Sequence, residues 1–313
     1  MKRGGLMNNS ILKAEKLSKV YRDIPVVDQI DLEISAGRLY GLIGKNGAGK
    51  TTFIRMVAGL TRPTSGKLAL YGEEDPDKWY LQRKKMSFIV ETPYIQPQFS
   101  AYDNLKLQCL QKGIKDEKRI YDVLEIVDLK DTKKKKAGEF SLGMKQRLGI
   151  AISMLSTPEF LLLDEPLNGL DPEGMLDMRK LLLQLKETFN TTILISSHLL
   201  SELHQIATDY IIMDKGKIVE QIDCEVLDAR CSDYLLVGVS DKVEALKTLK
   251  QVLHIEHCEV EDKDYIRVYD KNIDVEEIAA TLVSKQLRLH HLAYNKNSLE
   301  QYFISKIGGK LDA

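Results

Sequence analysis

The stretch Gly44-Lys45-Asn46-Gly47-Ala48-Gly49-Lys50-Thr51, with Thr52 behind it, constrains this chain more than any other. It has the spacing of a phosphate-binding loop, a glycine and four residues followed by Gly-Lys-Thr. The apolar run 38–43 before it reads as a buried strand and 52–59 behind it as a helix, the context such a loop requires. Glycines let backbone N–H groups close around an anion at a helix N-terminus, where the peptide dipoles favour negative charge. Lys50 is then set to reach the β- and γ-phosphates of a nucleotide, and the Thr51 hydroxyl to hold Mg²⁺.

The 313 residues are enough for two domains, each able to bury a core. A net charge of −1 gives no global argument for nucleic acid. Cys109, Cys224, Cys231 and Cys258 form no Cys-x-x-Cys pair, which suits reduced thiols in a cytosolic protein. His254, His257, Cys258, His290 and His291 match no zinc spacing. The first ten residues carry Lys2 and Arg3 but no apolar segment, so no secretory signal is expected. No run approaches the roughly 20 apolar residues of a membrane span, so a membrane role has to come through a partner.

Along the chain, 11–21 and 29–34 read as strands of an antiparallel part, joined by a turn around Asp23-Ile24-Pro25. Tyr21 reads either as an ordinary strand aromatic or as a ring that stacks on adenine. Residues 61–66 form a turn and 67–71 resume a strand. The strand 86–90 ends at Glu91, and the loop 92–99 leads into a mostly helical region to about Lys136. Its lysine run 133–136 reads as a solvated loop. Ser141 and Gly143 open a further helix, a second place where a phosphate can be held. The apolar strand 160–163 runs into Asp164-Glu165-Pro166, and 192–197 ends at His198. In a doubly wound sheet the ligand lies beyond the carboxyl ends of the strands, so Asp164 falls where Mg²⁺ belongs and Glu165 where a water is activated.

In this order, over about 180 residues, the motifs resemble the nucleotide-binding subunit of an ABC transporter. The resemblance spans roughly 10–225. It implies a P-loop NTPase α/β fold with an antiparallel β subdomain and a helical subdomain at about 92–157. It implies that Tyr21 stacks on adenine and that Gly44, Asn46, Gly47, Ala48, Gly49, Lys50, Thr51 and Thr52 cradle the phosphates of ATP. Asp164 corresponds to the magnesium carboxylate, Glu165 to the general base, His198 to the γ-phosphate contact, and 168–171 to the loop that communicates across a dimer. Ser141 and Gly143 correspond to the signature that completes the opposite subunit's site. Implied partners are a second copy and separate transmembrane permease subunits, with no nucleic acid. The implied location is the cytoplasmic face of the membrane, touched only through the permease.

Three positions depart from the family pattern. The signature reads Phe140-Ser141-Leu142-Gly143-Met144 instead of Leu-Ser-Gly-Gly-Gln, the dimer loop begins Asn168-Gly169 instead of Ser-Ala, and Glu91 stands where a glutamine is usual. That glutamate, a further candidate metal ligand, and the signature are similar to the ATPases of exporters for lantibiotic self-protection and bacitracin resistance. Exporters of drugs, lipids or ions remain alternatives. A soluble ribosomal ABC protein resembles two cassettes joined by a long basic linker, and a DNA-repair ATPase needs a long coiled coil; neither feature occurs here. Residues 232–313 carry none of these motifs, and their β-α-β-β-α-β order suggests a small ferredoxin-like α+β accessory domain.

Overall fold

A computed structural model of the chain describes residues 10–132, 134–231, 233–262, 264–269, 274–295 and 298–307. Residues 1–9, Lys133 of the lysine run and Ser232 at the expected domain start lie outside them. The chain divides into two compact units, Met1–Cys224 and Glu225–Ala313.

The first unit opens with the hairpin of β1 (Ser10–Tyr21) and β2 (Ile24–Ser35). Its turn is only Arg22-Asp23, with φ of 46° and 68°, the left-handed pair that a two-residue hairpin turn needs. Ile24 and Pro25, expected in the turn, are therefore strand residues. Pro25 donates no hydrogen bond, and the sheet order β2-β1-β4 puts it on an edge strand where none is required.

Next come β3 (Leu39–Ile43), α1 (Lys50–Ala58), β4 (Ser65–Leu70), α2 (Trp79–Arg83) and β5 (Met86–Ile89). The helices α3 (Ala101–Lys112), α4 (Lys118–Ile126) and α5 (Leu142–Met154) follow, then β6 (Phe160–Asp164), α6 (Pro172–Phe189) and β7 (Thr192–Ser197). α7 (Leu200–His204), β8 (Asp209–Asp214) and β9 (Lys217–Asp223) complete the first unit, and α8 (Cys224–Arg230) follows, its residues from Glu225 on belonging to the second.

The central sheet has the order β5-β6-β7-β3-β8-β9, parallel throughout except for β9. Every residue of β3, β6 and β7 is buried, which is why their sequences are near-continuous apolar runs instead of alternating ones. Burial of each of Leu161, Leu162 and Leu163 contributes about 1.5–3 kcal/mol. The register pairs Ile43 with Ser197 and Asp164 with Ser196, so the carboxyl ends of the three strands lie level.

The helical layer is α3 to α5. α4 buries Ile120, Val123 and Leu124, one stripe at helical spacing. Arg119 donates to the carbonyls of Leu155 (3.1 Å) and Met154 (3.2 Å), which the end of α5 leaves without helical partners. Buried Asn104 fastens the loop after β5, donating to the carbonyls of Gln96 and Ser100 and accepting from the Gln96 N–H at 2.7 Å.

Besides α8, the second unit comprises β10 (Tyr234–Val239), α9 (Lys242–Gln251), β11 (Cys258–Asp262), β12 (Tyr265–Val268), α10 (Val275–Ser284), β13 (Leu289–Asn295) and α11 (Leu299–Lys306). Its strands pair antiparallel in the order β11-β12-β10-β13, the two interleaved β-α-β halves of a ferredoxin-like arrangement. Leu235, Val237, Val239, Ile266 and Val268 pack with Ala245, Leu249, Ile278 and Leu282 of the two helices between strands. The strand expected from His254 begins only at Cys258, and His254 itself has a left-handed φ of 53°.

Candidate nucleotide site

The loop between β3 and α1 is shaped by contacts that exclude side chains. A Cβ on Gly44 would lie 2.4 Å from the Met213 carbonyl oxygen, and one on Gly49 would lie 2.5 Å from that of Val26. Gly49 also has φ of 106°, so an L side chain would be strained there. Asn46 and Gly47 are exposed at the tip, whereas Ala48 and Gly49 are buried. Gly49 is the N-cap of α1 and supplies no capping side chain, and no acidic residue occupies the first turn. Thr51 and Thr52 are half-buried in that turn. The first N–H groups of α1 therefore meet no competing anionic side chain within their own helix.

Lys50 is 6% exposed, and its Nζ donates to the Gly44 carbonyl at 2.7 Å. It also lies 3.4 Å from Glu165 Oε1. The other oxygen of that carboxylate, Oε2, is 2.9 Å from His198 Nδ1. The Thr51 hydroxyl donates to Asp164 Oδ2 at 2.8 Å, and the Ser196 hydroxyl to Asp164 Oδ1 at 2.5 Å. The structure thus brings Lys50, Thr51, Asp164, Glu165 and His198 into one connected cluster at the carboxyl ends of β3, β6 and β7. Thr51 and Asp164 offer hard oxygen donors side by side beneath a glycine cradle, a set that fits Mg²⁺ and phosphate.

Glu165 has a left-handed φ of 50°, a conformation that costs a non-glycine residue roughly 1–3 kcal/mol. Its N–H is held by the Ser196 carbonyl at 3.1 Å and the Ser196 hydroxyl at 2.9 Å. Ser196 therefore positions both carboxylates, a role the sequence reading did not assign. The only signal for it was its place immediately before Ser197-His198.

Four expected positions lie outside the cluster's hydrogen bonds. Tyr21 is 43% exposed at the end of β1, with its hydroxyl 3.4 Å from that of Thr61 and Lys19 Nζ 4.9 Å from its ring centre. Glu91, with φ of 66°, is bonded to Arg55 Nη2 at 2.5 Å and not to Thr51 or Asp164. Exposed Ser141 is the N-cap of α5 and accepts from the Met144 N–H at 3.3 Å. A Cβ on Gly143 would only touch Leu170 and Gly174 at ordinary distance, so no packing inside this copy demands glycine there. In the loop after Glu165, Asp171 caps α6 by accepting from the Gly174 N–H at 2.9 Å.

A parallel sheet ending in a phosphate loop and paired carboxylates, with a helical layer and an antiparallel sheet added, defines a P-loop ATPase cassette. The ABC transporter family model matches residues 27–168. The bacitracin transport ATP-binding protein BcrA of Bacillus licheniformis is 39% identical over 96% of this chain and 98% of its own length. The lantibiotic transport ATP-binding protein SrtF of Streptococcus pyogenes is 40% identical over 67% of this chain and 89% of its own. Among solved structures, the ATP binding subunit of an ABC transporter aligns at 26% identity with a TM-score of 0.61, covering 70% of this chain and 92% of that one. The chain belongs to the ATP-binding subunits of ABC transporters, and it is an ATPase.

Proposed function

We propose that the chain powers an exporter that removes bacitracin- or lantibiotic-type peptides from the membrane and so confers resistance. The observation that carries this reading is the nearly full-length similarity to BcrA, 96% of one chain against 98% of the other. Glu91 and the Ser-Leu-Gly-Met-Lys-Gln-Arg signature support it from the residues.

In this reading two copies face each other, and each ATP lies between the loop Gly44 to Thr52 of one copy and Ser141 and Gly143 of the other. Tyr21 stacks on the adenine, and backbone N–H groups around Asn46, Gly47, Ala48 and Gly49 bind the phosphates. Thr51 and Asp164 would hold Mg²⁺, with Glu91, bonded here to Arg55, as a further candidate ligand. When bound there, the metal would supply positive charge that offsets the charge of the phosphates. Glu165 orients the attacking water and accepts its proton, while Lys50 and His198 stabilise charge on the transferred group. Positioning supplies much of the rest.

Among the described residues no helix is long and apolar enough to cross a membrane. In this reading the subunit works at the cytoplasmic face beneath separate permease subunits. Their docking surface is the groove of 1000 Å³ lined by Tyr80, Phe88 and Ile152, continued by Pro93 and Tyr94. Tyr80 and Tyr94, 61% and 73% exposed, offer ring surface to those subunits.

The test is peptide susceptibility of cells carrying the chain with its permease genes. Resistance to bacitracin or a lantibiotic that disappears with Glu165→Gln supports the reading. Unchanged susceptibility to both peptides, alongside measurable export of another solute, would assign the subunit to a different cargo.

A further inference from the structure

The second unit contains a groove of 1180 Å³ that the ATP site does not use. Side chains alternate across a strand, so Leu235 and Val237 of β10 and Ile266 and Val268 of β12 reach the helices α9 and α10. Tyr234, Arg267 and Tyr269 consequently face the other side, where they line the groove together with residues of α8 and α11.

On that side the Tyr234 and Tyr269 rings are 5.8 Å apart, and the Arg267 guanidinium lies 4.7 Å above Tyr234. Arg267 pairs with Glu261, yet its Nε is buried with no acceptor among the described residues. From the helices, Arg230 Nη1 donates to the Tyr302 hydroxyl at 2.7 Å, and Lys306 lies on the same wall. Tyr269 and Tyr302 are half-buried, so both leave ring surface in the groove. The groove lining carries Arg230, Arg267 and Lys306 as cations and Glu256 and Glu259 as carboxylates, with Glu261 outside the lining paired to Arg267. Asn295 and Gln301 add amide groups that can both donate and accept.

Ring faces beside guanidinium and ammonium groups suit a flat aromatic ligand that carries an anion, since the ring stacks while the charges meet phosphate. The volume is somewhat above the roughly 1,000 Å³ upper end of small-molecule sites, which leaves room for a nucleotide. We propose that this groove is a second nucleotide site, with a base against Tyr269 and Tyr302 and a phosphate against Arg230, Arg267 and Lys306. It stands apart from the catalytic ATP, and its occupant requires no triphosphate.

A fluorescent nucleoside monophosphate, N-methylanthraniloyl-AMP, separates the two sites because it lacks the β- and γ-phosphates that Lys50 contacts. Titrated into the full chain, it should bind saturably and be displaced by unlabelled AMP but not by inorganic phosphate. Lys50→Ala should leave that binding unchanged, whereas Arg267→Ala and Tyr302→Leu should each weaken it about ten-fold or more. Both groove variants should keep the parent's ATPase rate, which reports an intact fold. If Arg267→Ala loses that rate, Tyr302→Leu, on a separate helix, decides the matter. Absence of saturable binding, equal displacement by phosphate alone, or binding lost in Lys50→Ala and kept in both groove variants would overturn the proposal.

Discussion

Glu165 holds two partners at once, the Lys50 ammonium at 3.4 Å and the His198 imidazole at 2.9 Å. A phosphate entering the loop takes Lys50 as a charge-assisted donor, an interaction worth about 1.5–3 kcal/mol. Lys50→Ala is therefore expected to weaken ATP binding by about ten- to a hundred-fold, read from a binding isotherm, besides lowering turnover. Elsewhere, burial pushes the Cys231 thiol up to about 11, with the carboxylates of Asp228 and Glu300 adding to the shift. At pH 8 only about one molecule in a thousand then carries the thiolate, against roughly a quarter for an ordinary thiol. Cys231 should accordingly react far more slowly with iodoacetamide than a model thiol, its rate still climbing past pH 9, as mass spectrometry of the labelled peptides would record. The loop, Asp164, Glu165 and His198 were legible because each follows an apolar run at a strand end. Ser196 and Arg55 were not, since a serine inside a strand has no pattern and the Arg55–Glu91 pair spans 36 residues.

At the level of elements, the start of α5 carries two roles that one experiment separates. As N-cap, Ser141 satisfies one donor, so Ser141→Ala should cost about 1 kcal/mol in urea unfolding of the nucleotide-free subunit. If the same hydroxyl completes the opposite copy's site, the variant should also lose ATP-dependent dimerisation, which a cap alone does not explain. The groove proposed to receive the permease gives a second test: Tyr94→Asp is expected to retain the isolated subunit's ATPase rate and to abolish peptide resistance in cells. Most elements could be read from the sequence because fully buried strands and amphipathic helices have different periods. Their ends were less visible. The β1–β2 turn proved shorter than expected because Arg22 and Asp23 adopt left-handed backbone without glycine, and β11 starts four residues later than expected.

For the whole molecule, the ATPase unit was identifiable because its motifs stand at three strand ends that register brings level. The second unit was legible only as topology, since its groove is assembled from β10, β12, α8 and α11, which no local spacing connects. The central claim is that one copy binds ATP, that two copies close around it, and that Glu165 then permits hydrolysis. Sedimentation of the Glu165→Gln variant with and without MgATP, paired with its steady-state hydrolysis rate, tests this most directly. The account predicts parental ATP affinity, a dimer that forms only with ATP, and a rate lower by about a hundred-fold or more, the usual contribution of a general base. A variant that hydrolyses ATP at the parent's rate, or that binds ATP and remains monomeric, would contradict it.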